Sequence, residues 1–112
     1  MLFRRQPVTT IDVQEAHRRQ RRGDLVLVDV REAGERAAGA PAGSLHLPLT
    51  ELPGRLSELP PGTIGFVCRS GRRSVAAAVV AERAGRDACS VGGGMTAWTS
   101  AGLPEGGPSR RR

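Results

Sequence analysis

The residues best suited to chemistry lie in one short stretch, CRSGRRS, at positions 68–74. Cys68 ends an apolar run and precedes a segment that favours a helix, so a strand, a tight loop and a helix N-terminus are predicted to meet at its sulfur. Backbone N–H groups, the helix dipole and nearby guanidinium groups all favour a thiolate over a thiol. Cys68 is therefore predicted to be ionised at neutral pH and to act as a nucleophile that solvent can reach.

The same loop is predicted to hold an anion close to the sulfur. Gly71 allows the backbone to curl without a Cβ penalty, and the curled backbone turns several N–H groups inward. Arg69 and Arg72 are the better candidates for contacting a bound anion, whereas Arg73 either contacts it or braces the loop. The complete set of predicted substrate-binding residues is Arg69, Ser70, Gly71, Arg72, Arg73 and Ser74. Such a cradle around a thiolate suits an anionic substrate that the sulfur attacks.

Outside this loop the reactive residue types fit structural roles. Cys89 lies in the apolar segment ACSV and is predicted to be a core thiol, with a resolving thiol for Cys68 as the alternative. His17 and His46 have no metal-ligand spacing with each other or with a cysteine, so no metal site is predicted. Trp98 follows a glycine turn and is predicted to pack in the core rather than to form a wall of the substrate site.

Strand-like and helix-like segments alternate along the chain, which predicts an α/β fold. The strand candidates are VTTID (8–12), LVLVDV (25–30), SLHLPL (44–49), TIGFVC (63–68) and ACSV (88–91). The helix candidates are VQEAHRRQRR (13–22) with Asp12 as its N-cap, one turn in REAGERAAG (31–39), a short amphipathic helix at 51–59, SVAAAVVAERAG (74–85) and MTAWTSAG (95–102). Strands joined by helices imply a mostly parallel sheet covered on both faces. Ligands of such sheets bind at the carboxyl ends of the strands, where Cys68 lies.

Length and charge narrow the function classes. At 112 residues the chain is long enough for one hydrophobic core. The net charge of +6 makes nucleic acid a partner to consider. Five of the seventeen arginines lie in the terminal segments, however, and four lie in HRRQRRGD, where they fit the exposed face and end of a helix. No nucleic-acid partner is therefore expected, and docking of the C-terminal RRR to an acidic partner stays an alternative to a solvated tail.

The N-terminal segment MLFRRQPVTT lacks the apolar stretch of a secretory signal, and no run of 18 apolar residues could span a membrane. We therefore expect a cytoplasmic protein without a membrane partner, in which both thiols are free.

Four motifs together carry a family resemblance. They are VDVRE (28–32), PLTEL (48–52), VCRSGRRS (67–74) and GGMTAW (93–98). In this order and at these spacings they resemble the rhodanese family of single-domain sulfurtransferases. The resemblance implies a three-layer α/β fold around a mostly parallel five-stranded sheet in residues 8–104. An N-terminal extension at 1–7 would precede this domain, and a disordered basic tail at 105–112 would follow it.

The resemblance also implies a chemistry. In this family Cys68 would attack the outer sulfur of thiosulfate or of a persulfide donor, with release of sulfite or a thiol. The sulfur would stay on Cys68 as a persulfide until cyanide, a thiol or an acceptor protein removes it, which gives ping-pong kinetics without a metal or organic cofactor. Asp29 and Arg31 would lie near the loop and help to order it, with a plain structural ion pair as the alternative.

Two other functions on this fold are considered. The related cell-cycle phosphatases use a loop that is one residue longer, whereas Cys68 to Arg73 spans six residues here, which favours sulfur transfer over phosphate or arsenate chemistry. A non-catalytic interaction module of the same family would often have lost the cysteine, which this chain retains.

The segment AGERAAGAPAGS (33–44) departs from the family pattern. Arg36 replaces an aromatic residue, Ala40 a histidine and Pro41 a branched aliphatic residue, while Arg86 follows Gly85 where an aromatic residue is usual. These changes are expected to thin the core around residues 33–44 and to make the segment mobile. They do not alter the loop that begins at Cys68.

Overall fold

Five short parallel strands and the helices that connect them form most of the region that the computed structural model describes, residues 8–106. The strands are β1 (Thr10–Ile11), β2 (Val26–Asp29), β3 (Ala40–Pro41), β4 (Leu45–His46), β5 (Ile64–Val67), β6 (Ala88–Val91) and β7 (Glu105–Gly106). The helices are α1 (Val13–Arg21), α2 (Ala33–Ala37), α3 (Arg72–Arg83) and α4 (Gly94–Ser100), with two 3₁₀ turns at Leu52–Gly54 and Leu56–Glu58. The predicted extension at 1–7 and most of the predicted tail lie outside the described residues.

The main sheet has the strand order β1-β6-β5-β2-β4, and every pair in it is parallel. In β2 and β5 the last residues pair directly, Asp29 with Val67, so both strands end at the same edge of the sheet. Cys68 follows Val67 and therefore leaves the sheet at its carboxyl edge, where parallel α/β sheets bind their ligands. The predicted architecture is confirmed.

Helices cover both faces of this sheet and make three layers. On one face α1 and α4 pack over a cluster that includes Val13, Leu27 and Trp98. On the other face α3 and the 3₁₀ turns pack over a cluster that includes Phe66, Leu52 and Cys68. Because aromatic residues are scarce, aliphatic side chains fill most of both clusters, as the composition indicates.

The pleat of β6 sends successive side chains to opposite faces of the sheet. Ala88 lies in the cluster beneath α3, whereas Cys89 and Val91 lie in the cluster beneath α1 and α4. Ser90 lies on the α3 face, where its hydroxyl contacts the hydroxyl of Ser74. The strand therefore separates the second cysteine from the loop of the first.

Most predicted elements are confirmed with small shifts in their ends. The strand β6 comprises the same four residues that the sequence predicts, and β2 is buried on both faces as expected. The carboxylate of Asp12 accepts a hydrogen bond from the N–H of Glu15 at 2.8 Å, which confirms it as the N-cap of α1. Helix α3 begins at Arg72, two residues earlier than predicted, because Gly71 takes a left-handed conformation and starts the helix there.

The predicted amphipathic helix at 51–59 is wrong. Two 3₁₀ turns replace it, and Arg55 between them has φ −130°, which is not helical. Pro53 cannot donate a backbone hydrogen bond and Gly54 has a low helix propensity, so a continuous helix does not form. Leu52 and Leu59 are buried nonetheless, as the spacing of the leucines indicates.

The folded region extends past the predicted boundary at residue 104. Glu105 and Gly106 form β7, which pairs antiparallel with β3. Trp98 Nε1 donates to the carbonyl of Pro104 at 2.8 Å, and Thr99 Oγ1 donates to the Glu105 carboxylate at 2.7 Å. These contacts to α4 hold the two residues in place, so the predicted start of the tail at 105 is at least two residues too early.

Arg36 gives the 33–44 segment contacts that the sequence alone does not predict. Its guanidinium group donates to the carbonyl of Ser44 at 2.8 Å, to the carbonyl of Leu45 at 3.3 Å and to the carboxylate of Asp29 at 3.4 Å. Arg36 therefore replaces the missing aromatic packing by hydrogen bonds that connect α2 to β4 and to the end of β2.

We expect Arg36→Ala to lower the free energy of unfolding by about 1–2 kcal/mol, because it removes hydrogen bonds to partly buried groups. Urea denaturation measures this change. The matched control is Arg22→Ala, which removes an arginine whose ion pair with Asp24 is exposed and is expected to cost about 0.5 kcal/mol or less. Equal effects of the two substitutions would contradict this role of Arg36.

Among residues 8–106, no helix is both long and apolar enough to cross a membrane.

Candidate active site

The loop after β5 curls around the sulfur of Cys68. The N–H of Gly71 donates to Sγ at 3.1 Å, and the N–H of Ser74 does so at 3.3 Å. The hydroxyl oxygen of Ser74 lies 3.5 Å from Sγ. Gly71 reaches this position with φ 111°, a conformation that a side chain would strain, and so the sequence expectation for this glycine is met. Two N–H donors and the Ser74 hydroxyl thus converge on one sulfur at the start of α3.

These donors set the ionisation of the thiol. Burial by itself would raise the pKa of Cys68. The hydroxyl of Ser74 and the N–H groups of Ser74, Gly71 and Ser70 outweigh burial, so the pKa of Cys68 lies below its ordinary value. The direction of this pKa shift agrees with the sequence prediction. Its main cause, however, is the set of hydrogen bonds from the loop and from Ser74, and not the charge of the arginines.

Cys68 is only 1% exposed. The sequence prediction assumes a sulfur that solvent can reach, and the structure leaves little of it accessible. Arg69 and Ser70, which follow Cys68 in the loop, are exposed, so the predicted solvent access holds for the loop but not for the sulfur.

The three arginines of the loop differ in their surroundings. Arg69 and Arg72 are exposed and form no ion pair with any residue in 8–106. Arg73 donates two hydrogen bonds to the carboxylate of Glu35, at 2.7 and 2.9 Å. Of the two roles predicted for Arg73, the geometry favours bracing the loop. Arg69 and Arg72 are the arginines of the loop without an ion pair among the described residues.

Glu35 is a residue of this site that the sequence analysis missed. It lies in α2, 38 residues before Arg73 in the chain, and connects that helix to the start of α3. The hydrogen bond from Arg73 is the main reason that the pKa of Glu35 falls from 4.5 to about 2. The only local sequence pattern that involves Glu35 is its spacing of three residues from Glu32, with which it forms the capping box of α2. This pattern indicates a helix start and not a contact with Arg73.

The Glu35–Arg73 pair predicts a dependence of stability on pH. The pKa of Glu35 is lower in the folded state, so the unfolded state binds more protons between pH 4.5 and 2. The stabilisation is therefore present above about pH 4.5 and is lost as the pH falls toward 2. Because the pair is about one-third exposed, we expect no more than about 1 kcal/mol. Urea denaturation of wild type and Glu35→Gln should differ at pH 6 and converge near pH 2, and a constant difference would contradict the pairing.

The N-terminus of α4 fixes the loop from its other side. The N–H of Met95 donates to the carbonyl of Cys68 at 2.8 Å, and the N–H of Thr96 donates to the carbonyl of Arg69 at 3.1 Å. Gly94 lies so close that a Cβ there would be 2.2 Å from the carbonyl oxygen of Cys68. The glycine turn of the GGMTAW motif is thus required by a contact with the loop.

Asp29 and Arg31 form a buried pair at the end of β2. Arg31 Nε donates to Asp29 Oδ1 and Nη2 donates to Oδ2, both at 2.9 Å, and Nη2 also donates to the carbonyl of Gly39 at 2.6 Å. The aspartate is fully buried and the arginine side chain is 7% exposed. The pair joins the strand end to the turn after α2, which fits the structural alternative better than a direct contact with the Cys68 loop.

An open groove of about 320 Å³ lies beside the loop. Its polar lining comes from Arg31, Glu35, Arg69, Thr96, Thr99 and Glu105. Since Arg69 and Thr96 also belong to the loop and to the helix start that holds it, the groove offers a molecule a position beside the Cys68 loop.

The other singled-out residues have structural surroundings. Cys89 is 3% exposed in the cluster opposite that of Cys68, and burial raises its pKa, so the sheet separates the two sulfurs and the resolving role does not fit. The ring of His17 packs edge-on against Trp98, whose side chain is fully buried. His46 Nε2 lies 2.8 Å from the carbonyl oxygen of Arg31.

Comparisons with known proteins agree with this arrangement. A family model described as rhodanese-like domain matches residues 12–101. A protein of Allochromatium vinosum named sulfurtransferase is 37% identical over 83 residues, which cover 72% of this chain and 78% of that protein. A helix-turn-helix type transcriptional regulator of Mycobacterium tuberculosis is 38% identical over 107 residues, which cover 91% of this chain but only 47% of the regulator.

Among solved structures, a rhodanese-related protein from Thermoplasma volcanium superposes with a TM-score of 0.81 at 26% identity. The match covers 88% of this chain and 97% of that protein.

Proposed function

Because this chain belongs to the rhodanese-like domain family, we propose that it is a sulfurtransferase that carries a sulfur atom on Cys68 as a persulfide. One observation carries the proposal: two backbone N–H groups and the Ser74 hydroxyl converge on Sγ, which lowers the pKa of Cys68. A thiolate is the nucleophilic form of cysteine. The relative named sulfurtransferase supports the same class of reaction.

The reaction proceeds in two displacements. The Cys68 thiolate attacks the outer sulfur of thiosulfate or of a persulfide, a new S–S bond forms, and the old S–S bond breaks. Sulfite or a thiolate leaves with the bonding electron pair. Cyanide, a thiol or an acceptor protein then attacks the outer sulfur of the Cys68 persulfide, and the thiolate is restored.

The loop supplies what both steps need. The inward N–H groups of Gly71 and Ser74 stabilise negative charge on sulfur, since they point to it before the reaction begins. Arg69 and Arg72 are exposed and available to attract an anionic donor such as thiosulfate. The groove that Arg69 lines is the proposed entry for donor and acceptor, and the proposal requires the loop to move, because Cys68 is only 1% exposed.

A cytoplasmic location is part of this proposal. Cys68 and Cys89 are both free thiols, which is usual in a reducing compartment.

Two alternative functions on this fold differ from the proposal: one acts on another substrate and the other catalyses no reaction. A phosphatase or arsenate-handling enzyme would need a wider cradle than the six residues from Cys68 to Arg73 form. A non-catalytic interaction module would not require hydrogen-bond donors directed at Sγ. The M. tuberculosis relative is named a transcriptional regulator, and this name is the observation that keeps the interaction module as an alternative.

Incubation with thiosulfate followed by intact-mass measurement tests the proposal. We expect an adduct of about 32 Da, the mass of one sulfur atom, on Cys68, and its disappearance with formation of thiocyanate after cyanide is added. Turnover of an aryl phosphate in preference to thiosulfate would support the phosphatase instead. The absence of both an adduct and turnover, with any sulfane-sulfur donor, would leave the interaction module.

A further inference from the structure

A second buried hydroxyl lies directly behind the one that contacts the nucleophile. Ser90 Oγ, in the middle of β6, is 2.7 Å from Ser74 Oγ, and both serines are fully buried. Ser74 Oγ is in turn 3.5 Å from Cys68 Sγ. Ser90 thus forms the inner end of a row of three polar atoms that begins at the reacting sulfur.

The position of Ser90 is unusual for a polar side chain. Its neighbour along β6 on the same face, Ala88, and its partner in β5, Phe66, are apolar and belong to the cluster beneath α3, while its partner in β1 is Thr10. A buried hydroxyl without a hydrogen-bond partner costs about 1–3 kcal/mol. Within residues 8–106, the one hydrogen bond of the Ser90 hydroxyl is with Ser74. A role for Ser90 must therefore act through Ser74.

The number of hydrogens in the row depends on the state of Cys68. Two contacts, one between the hydroxyls and one between Ser74 and Sγ, require two hydrogens. With a thiol the row holds three hydrogens, so one of them has no acceptor within it. With a thiolate it holds two, and a single arrangement satisfies all atoms: Ser90 donates to Ser74, and Ser74 donates to Sγ. The Sγ of a persulfide likewise carries no hydrogen, so the same arrangement satisfies it.

We propose that Ser90 is a positioning residue that orders the Ser74 hydroxyl as a donor to Cys68 Sγ, and that the pair thereby favours the thiolate and persulfide forms over the thiol. Ser74 has one hydroxyl hydrogen, which it can donate either to Ser90 Oγ or to Cys68 Sγ. When Ser90 donates to Ser74 Oγ, the hydrogen of Ser74 is directed to the sulfur. The same donation polarises the Ser74 hydroxyl and strengthens its hydrogen bond to Sγ. The inference rests on the proposed role of Cys68 as the nucleophile.

Charged groups also lie in and around the loop, and they come from several elements. Arg69 and Arg72 lie in the loop and at the start of α3, Arg73 is paired with Glu35 from α2, and the Asp29–Arg31 pair ends the neighbouring strand β2. The serine pair carries no charge and does not titrate. A substitution at Ser90 therefore changes the hydrogen bond to Sγ without changing this set of charges.

The test is the rate of Cys68 alkylation by iodoacetamide as a function of pH, with the site read by peptide mass spectrometry. At a pH below the pKa this rate is proportional to the thiolate fraction. Ser90→Ala is expected to raise the pKa of Cys68 and to lower the rate about tenfold, because the hydrogen bond to a charged acceptor is weakened. Ser90→Thr retains the hydroxyl and should restore the rate to within about twofold.

Two further variants make the result specific. Ser44→Ala removes another buried serine hydroxyl, one that donates to the carbonyl of Pro41 away from the loop, and should leave the rate unchanged. In a Ser74→Ala background, Ser90→Ala should change the rate by less than about twofold, since the two residues act as one unit.

An unchanged rate in Ser90→Ala, or a tenfold loss that persists without the Ser74 hydroxyl, would overturn the proposal. Alkylation requires no sulfur donor, so failure of this inference is distinguishable from failure of the sulfurtransferase activity.

Discussion

Replacement of Cys68 by serine is expected to abolish the sulfur adduct and to lower thiocyanate formation from thiosulfate and cyanide by about a thousandfold or more. Serine keeps nearly the same volume in the loop, so the hydrogen bonds from Gly71 and Ser74 can persist. A hydroxyl at this position stays protonated near neutral pH, however, and cannot hold a transferable sulfur. Intact mass after incubation with thiosulfate and the rate of thiocyanate formation measure the two effects.

The second cysteine provides the matched control. Cys89 is buried on the opposite face of the sheet, so Cys89→Ser should retain the adduct and keep the rate within about twofold of wild type. A sulfur adduct on Cys68→Ser, or loss of activity in a folded Cys89→Ser, would contradict the assignment of the nucleophile.

Gly94→Ala is expected to lower the free energy of unfolding by about 2–4 kcal/mol, because the new Cβ meets backbone that cannot move aside easily. That Cβ would lie 2.2 Å from the carbonyl oxygen of Cys68 and 2.7 Å from that of Arg69. Relief of the overlap requires the start of α4 to separate from the loop. The hydrogen bonds of Met95 and Thr96 to those carbonyls would then lengthen.

Activity should therefore fall in Gly94→Ala even among folded molecules, by about tenfold, since a small displacement of catalytic groups has effects of this size. Urea denaturation and rates measured well below the midpoint separate the two effects.

Two other glycines serve as controls. Gly34→Ala adds a methyl group in open space within α2 and should be neutral or slightly stabilising. Gly102→Ala carries the strain of φ +70° without any close contact, so it isolates the conformational cost. If Gly102→Ala lowers stability and activity as much as Gly94→Ala, the contact with the loop is not the reason for the effect.

The segments with regular hydrophobic patterns were predictable without tertiary information. The ACSV and LVLVDV strands and the alanine-rich helix α3 follow from short-range periodicity and from glycine as a terminator, and these properties belong to the local sequence. The 51–59 segment was not predictable in this way. Its leucine spacing indicates a helix, but Pro53 and Gly54 oppose the hydrogen bonds that such a helix requires.

In the 33–44 segment, residue type alone did not predict the contacts that the structure shows. An arginine in place of an aromatic residue predicts lost packing, since its effect on apolar contacts can be judged from residue type alone. The hydrogen bonds of Arg36 to Ser44, Leu45 and Asp29 depend on how α2 lies against β2 and β4, which residue type does not reveal.

What the sequence determined by itself is the loop around Cys68, the proposed nucleophile, because a strand, Cys68, a glycine turn and a helix follow one another in the chain and their geometry is local. Tertiary structure decided the atoms around that loop. Glu35 reaches Arg73 from a different helix, the start of α4 holds the carbonyl of Cys68, and Ser90 reaches Ser74 from a different strand. Only the packing of α2, α4 and β6 around the loop brings these groups within hydrogen-bond distance, and no spacing along the chain encodes it.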